Sequence, residues 1–231
     1  MKSLHFRAVL PMAFILLGSM TAMGCSSMST TGKGAAGGAV AGGVIGGIIG
    51  KATGSTAKGA IIGAAVGGTA GAVIGNRMEK QAEELDQELE NASVEPIMNP
   101  DTGETAGIQL VFDNALLFDV GQSTLRPGVQ ADLRQLAMSM QSYPDHDAVI
   151  VGHASSDGAT DFNQRLSEQR AMAVRSFMMG QGVSAGRLEA LGMGETQLIA
   201  GIPGTDPANR RVEISLYANP QYQQNLQQSQ N

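Results

Sequence analysis

The sequence predicts an α+β domain with the element order β-α-β-α-β-β over residues 108–217, preceded by a glycine-rich helical hairpin and an acidic helix. Two observations support this division. Of the 31 glycines, 16 lie between Gly32 and Gly75. After Gly107 the pattern changes to short β-branched runs that alternate with amphipathic stretches of helical period. The chain is therefore a mosaic of segments with different physical character.

The charge of the chain argues against a nucleic-acid partner. There are 15 Lys and Arg residues against 21 Asp and Glu, which gives a net charge of -6. Between residues 108 and 219, 8 arginines and no lysine accompany 12 acidic residues. A basic stripe that displaces counterions from a phosphate backbone is missing from this pattern.

Residues 1–24 have the pattern of a secretory signal peptide. Lys2 and Arg7 form a positive start, residues 8–17 are an apolar run, and small residues precede Cys25. The apolar run is too short for a membrane-spanning helix. The sequence therefore predicts export, with cleavage near Cys25.

Cys25 is the only cysteine of the chain, so an internal disulfide cannot form. Its setting, Ala22-Met23-Gly24-Cys25, resembles the bacterial lipobox. The resemblance implies acylation of Cys25, an acylated N-terminal linker over residues 25–33 and a firm attachment to membrane lipid. Ser26 after the cysteine implies the outer membrane. The alternative is an ordinary signal that is cut elsewhere and leaves Cys25 free.

Glycine recurs at every fourth position in two uncharged runs, 34–50 and 59–75. This spacing lines the glycines along one side of a helix, where small residues let two backbones approach closely. The segment 34–75 resembles the glycine-zipper hairpins of bacterial envelope proteins and predicts a membrane hairpin. Its glycine faces would pack within one chain or between chains as a homo-oligomer. The alternative is a flexible Gly/Ala spacer.

Three further segments flank the predicted domain. Residues 76–93 predict an acidic amphipathic helix, interpreted as a solvated stalk, because Met78, Ala82, Leu85 and Leu89 recur at helical spacing among glutamates. Residues 94–107 contain turn residues and predict a linker. Residues 218–231 are rich in glutamine and predict a disordered tail.

Within residues 108–217 the pattern predicts strands and helices in turn. Apolar and β-branched runs predict strands at 108–112, 116–118, 148–151, 188–192 and 212–217. A helix is expected from Pro127 to before Pro144, and a second from Asp161 to Met179, where Phe162 is one of the expected core residues.

Four phrases in this domain resemble the OmpA-like C-terminal domain in order and spacing. They are Phe118-Asp119 followed by Leu125-Arg126-Pro127, then Gly152-His153-Ala154, the stretch from Asn163 through Leu166-Ser167 to Arg170-Ala171, and Asn209-Arg210-Arg211-Val212-Glu213-Ile214. The resemblance implies helices packed on a mixed sheet and non-covalent binding of peptidoglycan through the diaminopimelate of its stem peptide.

The same resemblance implies the ligand-binding residues. Arg170 would hold a carboxylate, for which the guanidinium fork is well suited, and Asn163, Arg210 and Arg211 match the neighbouring family positions. The alternatives are a structural salt bridge for Arg170 and a scaffold role for the Arg210-Arg211 pair.

The chain departs from the family where an acid would follow the Gly-His-Ala phrase. Ser155 stands there, and Asp157 comes two residues later. A serine cannot pair with the ligand's ammonium group, and the loss of a charge-assisted hydrogen bond costs about 1.5–3 kcal/mol. Asp157 would restore the contact if the loop brings it to the same place.

No catalytic site, metal site or cofactor is expected. His153, Asp157 and the serines beside them share one loop without a defined nucleophile, base and orienting group. Only two histidines follow Cys25, which argues against a dedicated metal site.

Two functions remain after these exclusions. The first is an outer-membrane lipoprotein whose periplasmic domain binds peptidoglycan and tethers the membrane to the wall. The second is an oligomeric assembly protein whose domain has lost that ligand and serves as a protein-interaction scaffold.

Overall fold

The computed structural model describes residues 68–99 and 102–229. The helices and strands, in chain order, are α1 (Gly68–Glu88), β1 (Ala92–Met98), β2 (Thr105–Asp113), α2 (Asn114–Leu117), α3 (Gln130–Ser142), β3 (His146–Gly152), α4 (Thr160–Gly180), β4 (Leu188–Gly192), β5 (Arg211–Ala218) and α5 (Pro220–Gln228). The predicted α+β class with helices on a mixed sheet is confirmed.

The five strands form one sheet in the order β1-β2-β5-β3-β4. Only the β3–β4 pair is parallel, and α4 forms its crossover. The other three pairs, β1–β2, β2–β5 and β5–β3, are antiparallel. Helices α1, α3 and α4 cover one face, where their apolar side chains meet those of β2, β3 and β5 in the main core. The other face carries a small cluster of Ile97, Val149 and Val151.

Helix α1 is part of the domain, so its interpretation as a solvated stalk is wrong. The predicted apolar stripe exists, but it faces the sheet, and Met78 and Leu85 are fully buried in the main core. A buried polar chain adds to this contact: Gln81 Nε2 donates to Ser139 Oγ of α3 at 2.9 Å, and Gln81 Oε1 lies 2.6 Å from Nδ1 of His146 at the start of β3. The helical periodicity of this segment therefore reflects a docked helix. The predicted end at residue 93 is too late, because the helix ends at Glu88 and residues 92–93 belong to β1.

The start of α1 lies inside the second glycine run. Ile74 is 5% exposed and packs in the main core, and Gly75 lies against the backbone of Thr105. The predicted boundary between the hairpin and the helix at Gly75 is therefore too late, because the domain already includes residues before it. Cys25, the signal peptide and the rest of the 34–75 segment lie outside the described residues.

The predicted linker over residues 94–107 is wrong for most of its length. Residues 92–98 form β1, and the last three residues of the predicted linker belong to β2. Pro96 suggested a linker, but β1 pairs only with β2 and lies at the edge of the sheet. An edge strand tolerates a proline because the missing N–H faces away from its neighbour.

Two other predictions are also wrong. Residues 114–117 form the short helix α2, capped by Asp113 Oδ1, which accepts from the Ala115 amide at 2.7 Å, so there is no strand at 116–118. The predicted disordered tail contains α5, which begins with Asn219 as its cap and Pro220 in its first turn. Tyr222 and Leu226 of α5 pack against the main core. Among the described helices, none has both the length and the apolar character needed to cross a bilayer.

Candidate functional site

A cleft of about 540 Å³ opens at one end of the three central strands, where β2 and β3 end and β5 begins. Its walls come from the segment 113–121 after β2, the loop 154–157 after β3, and the first half of α4. Of the predicted ligand-binding residues, those that line it are Ser155, Asp157, Asn163, Arg170 and Arg210. The fold therefore brings together five of the six.

Helix α4 reaches this position because two glycines let it approach the sheet. A Cβ on Gly152 would overlap the backbone of Ser167, and a Cβ on Gly192 would overlap the backbone of Glu168. Only glycine permits such a close helix–strand approach. The packing fixes the height of α4 above the ends of β3 and β4, and so the position of its side chains along the cleft.

Asn163 lies in the lining of the cleft and hydrogen-bonds to the loop that forms one wall. Its side chain is 5% exposed, and Nδ2 donates to the backbone oxygens of Ser155 and Asp157 at 3.1 and 2.9 Å and to Glu195 Oε2 at 2.8 Å. Three acceptors surround an amide that has two hydrogens. Asn163 therefore holds the loop 154–157 in place and has no donor left for a ligand.

Ser155 and Asp157 form one hydrogen-bonded unit with Arg210. Ser155 Oγ donates to Asp157 Oδ2 at 3.0 Å, and Arg210 Nη1 donates to Ser155 Oγ at 3.2 Å. Arg210 Nη1 lies 3.5 Å from the same Asp157 oxygen, and both side chains are partly solvent-exposed. The loop thus brings the Asp157 carboxylate beside the Ser155 hydroxyl.

Arg170 is a buried cation without a carboxylate beside it. It is 3% exposed, and its contacts are Nε donating to the backbone oxygen of Gln122 at 2.9 Å and the Phe118 ring, 5.3 Å from the guanidinium carbon. Within the described residues no acidic side chain forms an ion pair with it, so the structural salt bridge is absent from this part of the chain. Burial, and then the nearby charge of Arg210, lower the pKa of Arg170 to about 10. It remains charged at neutral pH.

The two arginines at the start of β5 have different environments. Arg210 lines the cleft, whereas Arg211 Nε donates to Glu213 Oε1 at 2.6 Å and its Nη atoms approach the Gln197 backbone oxygen. Buried Asn209 holds the same loop: its Oδ1 accepts from the Ile199 amide at 2.7 Å. The scaffold role therefore fits Arg211, which the structure does not place in the lining of this cleft.

His153 lies away from the cleft lining. It is 1% exposed, and its Nε2 lies 3.7 Å from Glu213 Oε2. Burial lowers the pKa of His153, which favours a neutral ring. Burial works against the charge of Glu213, but the neighbouring His153 and Arg211 outweigh it and lower the pKa of Glu213 to about 2. His153 is therefore a buried structural residue and not part of the cleft surface.

Most of the cleft lining was not predicted as site residues, and two of these residues, Phe162 and Asn114, have a notable environment. Phe162, expected in the core, is 49% exposed and lines the cleft next to Leu166. Asn114 also lines it, and its buried Oδ1 lacks a hydrogen-bond partner among the described residues. The position of Phe162 in the first turn of α4, beside the predicted site residue Asn163, could have indicated that it lines the site.

A second cleft of about 470 Å³ lies along β4. Its two arginines hold the fold: Arg175 Nε donates to the Leu188 backbone oxygen at 2.9 Å, and Arg187 donates to the backbone oxygens of Met140 and Tyr143. Since these guanidinium groups are held by the protein, the cleft with Arg170 is the stronger candidate.

Comparison with known protein families gives matches for two parts of the chain. Residues 117–211 match the model of the OmpA family, and residues 1–79 match that of the YMGG-like Gly-zipper. The chain is 38% identical over 111 residues to the probable lipoprotein YiaD of Escherichia coli, a match covering 47% of this chain and 51% of that protein. It is 34% identical over 131 residues to outer membrane porin F of Pseudomonas aeruginosa, covering 55% and 36%. The chain thus spans about half or less of these curated relatives.

Among solved structures, the chain is similar to a putative MotB-like protein from Desulfovibrio vulgaris. The TM-score is 0.52 at 21% sequence identity, over 64% of this chain and 99% of that one. At this identity the likeness shows the fold alone.

Proposed function

We propose that this chain is a non-enzymatic envelope protein that binds peptidoglycan, because residues 117–211 match the model of the OmpA family and residues 1–79 match that of the YMGG-like Gly-zipper. The domain would lie in the periplasm and hold the wall without a covalent bond. Acyl chains on Cys25, with the glycine zipper, would hold the other end at the outer membrane. The protein then tethers the membrane to the wall.

The observation that carries this proposal is the environment of Arg170. A buried guanidinium that lacks a carboxylate partner keeps its fork available for an incoming carboxylate, which it can hold through two parallel hydrogen bonds. Desolvation strengthens such a contact relative to the same pair in water. The free carboxylate of the stem-peptide diaminopimelate has the charge and shape that this position accepts.

The rest of the cleft supports a short aliphatic amino acid. Phe118, Phe162 and Leu166 line it beside Arg170 and provide apolar surface for a methylene chain. Asp157 is the acidic group nearest to Ser155, and its carboxylate is the one that the loop offers towards a ligand ammonium group. The pairing of Asp157 with Arg210 weakens that second contact.

A second function, the assembly scaffold, is favoured by one observation. Ser155 is uncharged, and its hydroxyl is already used by Arg210 and Asp157. If this change has removed ligand binding, the domain would serve as an interaction module, and oligomerisation through the zipper would carry the function. The two proposals differ in whether the domain pellets with the wall.

Co-sedimentation of the full chain in detergent with isolated peptidoglycan separates them. The wild type is expected to pellet, and Arg170→Ala to require at least about tenfold more peptidoglycan, as expected from the loss of one charge-assisted contact. Arg165→Ala is the matched control, since Arg165 lies on the exposed side of α4 and outside the cleft lining. A wild type that stays in solution, while Ser155→Asp pellets, would favour the scaffold.

A further inference from the structure

The carboxylates of the cleft already have partners in the structure. Asp119 Oδ1 lies 3.7 Å from Arg126 Nε, and Asp157 Oδ2 lies 3.5 Å from Arg210 Nη1. Asp113 caps helix α2 through its Oδ1. A ligand ammonium group entering the cleft therefore meets acids that other donors already hold.

The arginines that line the cleft are not all paired with an acid. Of the three arginines that line the cleft, Arg126 and Arg210 face an acid, and Arg170 faces none among the described residues. Arg170 is also the most buried of the three. Asp113 likewise forms no ion pair among the described residues, but it is solvent-exposed, whereas Arg170 is buried. The buried charge that lacks an opposite charge in this cleft is therefore positive.

Ser155 adds no charge to the edge of the cleft where Asp157 and Arg210 form their ion pair. Its hydroxyl hydrogen goes to Asp157, and its oxygen accepts from Arg210. A carboxylate at this position would add an anion at the same edge of the cleft, and one Arg210 would then face two acids. The uncharged side chain therefore limits how strongly the cleft attracts an ammonium group.

We infer that this cleft recognises its ligand by a carboxylate and an aliphatic chain, and that the ligand's amino group contributes little to binding. Ser155 is the residue that determines this selectivity. The inference rests on the proposed function and narrows it: the ligand class is an aliphatic carboxylate, with or without an amino group beside the acid.

Three soluble compounds with related carbon chains test the inference by competition. The full chain in detergent is bound to isolated peptidoglycan, and each compound is titrated until half of the protein is released. Diaminopimelate carries both kinds of group, pimelate lacks the amino groups, and 1,5-diaminopentane lacks the carboxylates. Pimelate is expected to release the protein at a concentration within about threefold of diaminopimelate, because a partner-held acid adds well under one tenfold step of affinity. 1,5-Diaminopentane is expected to have no effect.

Variants at position 155 supply the matched comparison. Ser155→Asp adds an acid and is expected to prefer diaminopimelate over pimelate by about tenfold or more, the effect of one charge-assisted contact. Ser155→Ala removes the hydroxyl without adding charge and is expected to treat the two compounds alike. Thermal unfolding of both variants verifies that they are folded. If Ser155→Asp does not fold, the wild-type and Ser155→Ala titrations still decide the question.

The outcomes separate this inference from the proposed function. A wild type that pellets with peptidoglycan but prefers diaminopimelate over pimelate by about tenfold or more overturns the inference and leaves the proposed function standing. The same holds if the protein pellets and neither dicarboxylate releases it. If the wild type does not pellet at all, the proposed function fails and the inference fails with it.

Discussion

The interface between α1 and the rest of the domain and the cleft beside α4 both contain charged and polar side chains, but charges are paired differently in the two regions. At the α1 interface Arg77 lies 3.3 Å from Asp145, and the buried amide of Gln81 joins Ser139 to His146. In the cleft Arg170 is buried, and no acidic side chain of residues 68–99 and 102–229 forms an ion pair with it. A buried cation without a partner lowers stability. Under the proposed function, the carboxylate of the ligand would supply the charge that Arg170 lacks.

The largest expected effect is a test of α1 as part of the domain. Leu85→Ala should lower the free energy of unfolding by about 3 kcal/mol, because it removes a fully buried side chain from the main core. Chemical denaturation of the full chain measures this. Glu83→Ala, on the exposed side of the same helix, should change the stability by less than about 0.5 kcal/mol. Equal small effects of the two variants would mean that α1 is a detached stalk.

Acid should weaken the α1 interface next. Burial, followed by the charges of Arg77 and Arg187, lowers the pKa of His146 from its usual 6.5 to about 3. Between these values the unfolded chain binds a proton that the native state does not, so stability falls as the pH drops below about 6.5. By pH 5 this contributes a loss of about 2 kcal/mol relative to pH 7.

Denaturation curves at several pH values measure that loss. His146→Gln should be less stable at pH 7 and should show a shallower decrease towards pH 5. Part of the decrease should remain, because burial also lowers the pKa of His153. An unchanged slope in His146→Gln would contradict the role given to this histidine.

The smallest effect on stability is expected when Arg170 of the cleft is compared with Arg187, a partly buried arginine that the backbone holds. Arg170→Met should leave the domain as stable or more stable by about 1 kcal/mol, because a poorly matched buried charge becomes apolar. Like Arg170→Ala, it should require at least about tenfold more peptidoglycan to pellet. Arg187→Met should be destabilising, since Arg187 donates to the backbone oxygens of Met140, Tyr143 and His146. Melting temperatures and co-sedimentation of both variants measure the contrast. A strongly destabilised Arg170→Met would instead make Arg170 a scaffold residue.

The sequence predicted the elements whose pattern is local. The strands expected at 108–112, 148–151, 188–192 and 212–217 correspond to β2, β3, β4 and β5, and the two expected helices correspond to α3 and α4. The errors lie where a local signal has two meanings. Pro96 is compatible with a linker and with an edge strand, and only the pairing of β1 with β2 distinguishes them.

The candidate site was predicted in part for a similar reason. The four phrases identified the loop and helix that carry Ser155, Asp157, Asn163, Arg170 and Arg210, because those residues are near one another along the chain or within a recognisable phrase. Their individual roles were not readable. Arg210 and Arg211 are consecutive, yet alternation along an extended backbone sends one to the cleft and the other to Glu213.

The sequence by itself determined the mosaic of segments, the α+β class, the apolar stripe of α1 and the residue types that the cleft contains. The tertiary structure alone decided that the stripe of α1 docks on the sheet and that Asn163 holds a loop in place. It also decided that Arg170 is buried with no acidic partner in the part of the chain that the structure describes. The physical reason is that hydrophobic period and turn chemistry are properties of neighbouring residues. Partnership between charges depends on residues such as Gln122 and Arg170, which are distant in the chain and meet only when the sheet and helices have packed.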